Sequence, residues 1–153
     1  MSLATPSTVL VVDDEGPIRD YLSAVLRFEG YDCRTFEESG KALDYLASPN
    51  EPADLMLTDI KMPGMTGIEL LRSVKALKPK MPVILVSGLY ELALAIEALE
   101  CGADDYLKKP VRPRDVLTAV GKYLAQDPGA QEETIQEALR DFVASREDPH
   151  ASE

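Results

Sequence analysis

At 153 residues, 45% hydrophobic and 28% charged, the chain has the balance of one globular domain, which excludes wholesale disorder and fibrous architectures. Its formal charge of −11 repels phosphate backbones and anionic bilayers, so no direct contact with nucleic acid or membrane is expected. No segment reaches the roughly 20 apolar residues of a membrane span, and "MSLATPSTVL" lacks a basic region leading into an apolar one, so a cytoplasmic location is expected.

The first predicted element is "TVLVV" (8–12), a short β-branched strand. "PIRDYLSAVLRFEG" follows as a helix, with Pro17 suited to its first turn, Gly30 to its stop, and Ile18, Tyr21, Leu22, Val25 and Leu26 on one face. "YDCRT" reads as a strand and "SGKALDYLA" as a helix that turns Ala42, Leu43 and Leu46 inward. Then come the strand "DLMLT" and the helix "GIELLRSVKAL", in which Leu70, Val74 and Leu77 fall at i, i+4 and i+7. "PVILVS" is almost continuously apolar, as suits a strand covered on both faces. "ELALAIEALECG" is a helix ending at Gly102, "DYLKK" a short strand, and "RDVLTAVGKYLA" a helix with Val116, Val120 and Leu124 on one side. Repeated strand–helix alternation predicts an α/β fold, a parallel sheet with helices on both faces.

The composition shifts after "AQDPGAQ". Residues 126–153 hold eight acidic and two basic side chains, yet Ile135, Leu139, Phe142 and Val143 keep a helical spacing. An acidic extension with an amphipathic helix at about 130–145 is expected. Its apolar stripe calls for a partner, such as a second copy or an output domain, with packing on its own domain as the plainer option. Cys33 and Cys101 lack metal-ligand spacing and read as reduced thiols. His150 is the only histidine and sits in the polar tail, so the folded part has no histidine to act as a phosphodonor.

Polar residues gather where the predicted strands end. Asp13 and Asp14 close the first strand, Asp59 the third, Ser87 the fourth and Lys109 the fifth. In open parallel sheets, groups outside the carboxyl ends of the strands meet at the point where strand order reverses. Three carboxylates crowded there repel one another, and a hard divalent cation with oxygen ligands relieves this, Mg²⁺ first and Mn²⁺ as an option. Beside such a cation Asp59 suits a carboxylate nucleophile toward phosphorus, with Lys109 and Ser87 receiving the phosphoryl oxygens.

"VLVVDDE", "LMLTDIKMPGMTG", "PVILVSG" and "GADDYLKKPV" together resemble, in order and interval, the motifs of the receiver domain of two-component response regulators. These domains are similar to chemotaxis regulators and have a flavodoxin-like fold. The resemblance covers residues 7–125 and implies a doubly wound five-stranded parallel sheet of order 2-1-3-4-5. It implies that Asp59 is the phosphoacceptor and that Asp13, Asp14, Asp59 and the backbone carbonyl of Lys61 bind Mg²⁺. Ser87 and Lys109 would bind the phosphoryl group, Ser87 and Tyr106 would form the switch, and the Lys109–Pro110 bond would be cis. The implied phosphodonor is a phosphohistidine on a sensor histidine kinase or histidine phosphotransfer protein, and the implied target an output domain or downstream protein, with a homodimer as an option. Such a chain is a phosphorelay switch rather than an enzyme. Two other readings are open. A degenerate receiver used only for binding would be expected to lack one of the five key residues, and all are present. An aspartyl-phosphate phosphatase of the haloacid-dehalogenase type spaces its aspartates two residues apart, whereas "VVDDEG" has them adjacent.

Overall fold

A computed structural model describes residues 5–88 and 92–125 of the chain; the expected extension at 126–153, with its helix, lies outside these residues. Among the described residues ten elements alternate: β1 (Thr8–Val12), α1 (Gly16–Phe28), β2 (Asp32–Phe36), α2 (Ser39–Ala47), β3 (Leu55–Asp59), α3 (Gly67–Leu77), β4 (Val83–Ser87), α4 (Leu92–Glu100), β5 (Asp105–Lys108) and α5 (Pro113–Ala125). The strands form one parallel sheet in the order β2-β1-β3-β4-β5. This is the flavodoxin-like arrangement, with the order reversing between β1 and β3.

The continuous apolar runs explain which strands lie inside. Every residue of β1, β3 and β4 is buried, whereas the edge strands β2 and β5 are only partly covered. Alternate side chains divide between two cores. Leu10, Val12, Met56 and Leu85 pack under α2, α3 and α4, while Val9, Val11, Leu57, Ile84 and Val86 pack under α1 and α5. Of the expected inward residues Leu77 is the exception, 46% exposed. It is the last residue of α3, where the helix has run past the sheet.

Helix ends fix the lengths. Gly30 and Gly102 take φ of 101° and 113°, backbone that favours glycine. At each stop the chain closes a paired turn: Tyr31 N bonds Leu26 O at 3.1 Å and Ala103 N bonds Ala98 O at 3.0 Å. At the start of α3, the Thr66 hydroxyl accepts from Glu69 N at 3.2 Å, and Glu69 Oε1 accepts from Thr66 N at 3.3 Å. Such a reciprocal cap is worth about 1 kcal/mol.

A polar lattice ties the opposite, amino edge of the sheet. Lys75 Nζ donates to Asp104 Oδ2 at 2.9 Å and to Met81 O at 2.8 Å. The same carboxylate accepts from Val83 N at 2.8 Å. The Tyr123 hydroxyl donates to Asp104 O at 2.8 Å and Asp105 Oδ2 at 3.0 Å, fixing the end of α5 to the start of β5. Burial raises the Asp105 carboxyl above its ordinary value, although bonds from Tyr106 N and Tyr123 partly offset this.

Candidate functional site

Asp13 directly follows β1 and Asp59 is the last residue of β3, so their carboxylates meet beyond the carboxyl edge at the reversal of strand order. Both are buried, 1% and 5% exposed, and each has one oxygen held by the backbone. Asp13 Oδ1 accepts from Glu15 N at 2.9 Å, and Asp59 Oδ1 accepts from Ile60 N at 2.8 Å. These bonds turn the other oxygen of each toward Lys109, whose Nζ lies 3.2 Å from Asp13 Oδ2 and 3.4 Å from Asp59 Oδ2.

Lys109 owes its position to β5 and the turn after it. Its N–H donates to Ser87 O at 2.7 Å, and the following bond to Pro110 is cis. Burial alone pulls the Lys109 ammonium toward neutrality, but the charges of Asp59 and Asp13 and their hydrogen bonds outweigh it and raise its pKa. The lysine stays charged where it stands between two acids.

Asp14 is exposed and supplies a third carboxylate; one ligand oxygen from each of Asp13, Asp14 and Asp59 lies within 4.8 Å of the others. Two buried carboxylates and one facing water give an all-oxygen set open on the solvent side, which suits a hard cation that keeps part of its water shell.

The other expected residues occupy distinct places. Ser87 is buried at the end of β4. Lys61 is exposed two residues after Asp59. Tyr106 lies opposite Leu85 in the β4–β5 register, two residues before Lys108, and packs half-buried against the core under α2, α3 and α4. The structure thus gathers Asp13, Asp14, Asp59 and Lys109, while Tyr106 stands behind them on β5.

Two further residues shape the site without being singled out by the sequence. Arg19, one turn into α1, donates from Nη1 to Asp13 O at 2.6 Å and pins the loop that carries both amino-terminal aspartates. Gly67 opens α3 against the end of β3: its N–H bonds Ile60 O at 2.7 Å, and a Cβ there would lie 2.3 Å from Asp59 O. A glycine at the first helical position, directly after the capping threonine, was the available signal. Its meaning needed the strand beside it.

Comparison with known proteins agrees with this geometry. The family model described as "Response regulator receiver domain" matches residues 9–121. The phosphate regulon transcriptional regulatory protein PhoB of Pseudomonas aeruginosa is 36% identical over 132 residues, 84% of this chain and 57% of that protein. The transcriptional regulatory protein FixJ of Bradyrhizobium diazoefficiens is 31% identical over 144 residues, 94% of this chain and 69% of that protein. The chain therefore spans between about half and two thirds of these two relatives. Among solved structures, a receiver domain protein from Clostridium thermocellum superposes with a TM-score of 0.74 at 33% identity, covering 77% of this chain and 94% of that one. A CheY-like receiver protein from Methanospirillum hungatei gives 0.71 at 35% identity, covering 87% and 99%.

Proposed function

Because the chain belongs to the response regulator receiver family of two-component signalling, we propose that Asp59 is its phosphoacceptor, charged from a phosphohistidine on a sensor histidine kinase or histidine phosphotransfer protein. The observation that carries the reading is the ammonium of Lys109 held between Asp13 and Asp59 beside a third carboxylate. In the transfer, a carboxylate oxygen of Asp59 forms the new bond to phosphorus as the phosphorus–nitrogen bond breaks, and the imidazole takes up a proton as it leaves.

The chain's residues divide the work. Asp59 Oδ1 is held by Ile60 N, which leaves Oδ2 toward Lys109 as the attacking atom. Lys109 then offers its ammonium to a phosphoryl oxygen, and Ser87 its hydroxyl to another. Asp13, Asp14 and Asp59, with the Lys61 carbonyl, would hold Mg²⁺, and Mn²⁺ suits the same oxygens. Such an ion, when bound, neutralises charge on the carboxylates and the phosphoryl group.

Once modified, Ser87 moves toward the phosphoryl group and Tyr106 rotates into the space released, a shift between two populations that alters the face of α4, β5 and α5. That face controls an output domain or downstream protein, and the chain acts as a switch rather than as an enzyme. The receiver unit is residues 7–125, with 126–153 an appended extension.

Incubation with acetyl phosphate and Mg²⁺, followed by mass spectrometry of the wild type and Asp59→Asn, tests this. One added phosphoryl group on the wild type and none on the variant is expected. Equal labelling of both would remove Asp59 from the role.

A further inference from the structure

The amino edge of the sheet, opposite Asp59, carries a groove that the phosphoryl chemistry does not use. It lies between the chain entering β3 and the chain entering β4, encloses about 430 Å³, and is lined by Ala53, Leu77, Pro79, Met81 and Pro82 together with three charged residues. Leu77 is 46% exposed and Pro79 is exposed beside it, so apolar surface faces water here.

The walls are fixed before anything binds. On one side Met81 N bonds Lys78 O at 3.1 Å, closing a four-residue turn with Pro79 in its second position. Lys75 Nζ holds Met81 O at 2.8 Å, and Pro82 O accepts from Met56 N at 2.9 Å. On the other side Asp54 N bonds Thr8 O at 2.8 Å, and Asp54 Oδ2 accepts from Thr8 N at 2.7 Å. A groove held in this way costs little ordering when it is filled.

Its free charge is positive. Lys78 and Lys80 flank Pro79, both exposed, and neither forms an ion pair among the described residues. Lys75 behind them is committed to Asp104, and the one acid of the lining, Asp54, is engaged by the start of β1. On a chain of net charge −11, two uncommitted ammoniums attract an anionic partner that the rest of the molecule repels. A bare anion would leave Leu77 uncovered, and a nucleic acid would bring its phosphates against a strongly acidic chain. An acidic peptide with an apolar side chain meets both features.

We infer that this groove docks an acidic segment of another protein, its carboxylates on Lys78 and Lys80 and an apolar side chain on Leu77 and Pro79. Asp54 and Asp59 are separated by about 17 Å of extended chain, so a partner held here leaves the acceptor edge open and binds whatever the phosphoryl state. The inference stands on the groove alone and does not rest on the function proposed above.

Titration of the isotope-labelled full chain with a blocked hexapeptide, Glu-Glu-Leu-Leu-Glu-Glu, followed by amide chemical shifts, tests it. Progressive shifts at Ala53, Asp54, Leu77, Lys78, Lys80 and Met81 are expected. Affinity should fall about tenfold in Lys78→Glu/Lys80→Glu, since each exposed ion pair contributes a factor of a few and the reversed charges repel. Leu77→Ser should weaken binding as well, and all three side chains are exposed, so the variants keep the fold. No shift at these amides, or equal affinity of the charge-reversed chain, would overturn the inference. So would equal binding of a peptide with Ser in place of both Leu, because charge alone would then account for it. Acetyl phosphate labelling of Asp59 is read separately in the same chains and is expected to be unchanged.

Discussion

Gly67 offers the sharpest test of how the acceptor strand is held. An Ala at this position would bring its methyl 2.3 Å from Asp59 O, 2.7 Å from Ile60 Cα and 3.1 Å from Asp59 C. All three are backbone atoms, so no side chain can swing aside. Relief requires α3 to back away from β3, stretching the 2.7 Å bond from Gly67 N to Ile60 O and moving the peptide that carries Asp59. Overpacking typically costs about 1–3 kcal/mol, and with only backbone to yield the upper end applies. At about 4 °C per kcal/mol for a domain of this size, Gly67→Ala should melt about 12 °C below the wild type, with slower acetyl phosphate labelling of Asp59. Gly40→Ala is the control, because a Cβ there meets nothing within 4 Å. Within a helix that change gains about 0.5–1 kcal/mol, so the same substitution at two glycines should move the melting temperature in opposite directions. A Gly67→Ala chain melting within a few degrees of the wild type would refute the reasoning.

Lys109→Met leaves Asp13 and Asp59 facing each other without their ammonium and should cost about 2–4 kcal/mol at neutral pH by urea titration, part of it regained on adding Mg²⁺. The raised pKa of Lys109 means that its stabilisation is fully present below 10.5 and fades as the pH climbs through the raised value, so the gap between the chains should narrow in alkali. Asp105→Asn should raise the melting temperature at pH 7, where burial penalises the charged carboxylate. With the folded value raised, that penalty vanishes below the ordinary 3.8, so the advantage should be absent at pH 3 or so if both chains still fold. Lys75→Met strips the cation from buried Asp104 and should cost about 3–5 kcal/mol in urea titration, leaving Asp59 labelling unchanged in the fraction that stays folded.

The strands were legible because burial on both faces demands unbroken apolar runs, and "TVLVV", "DLMLT" and "PVILVS" lie within a residue of β1, β3 and β4. The site was legible for a related reason: Asp13, Asp59, Ser87 and Lys109 are polar at points where such runs stop. What the sequence hid were relations between distant segments. Gly67 looks like any glycine opening a helix until the end of β3 is set against it. Lys75 and Asp104 are 29 residues apart, and nothing in the local pattern around either names the other, yet they meet at the sheet's amino edge. Leu77 matches the inward period of its helix but extends past the sheet it should have covered.

The ammonium between the two buried acids also bears on how the protein emerges from the ribosome. Asp13, Asp59 and Lys109 come from the first, third and fifth strand–loop units, so a nascent chain that has released only β1 to β4 carries both carboxylates without their counter-charge. Desolvating them in that state is costly, so the half-made sheet is discouraged from closing around its centre. Delivery of β5 reverses the sign of that contribution, because Lys109 arrives with the last strand. The charge pattern thus favours a finished domain over a truncated one, and a chain cut short by a stalled ribosome should remain open to proteases, which degrade what has not closed.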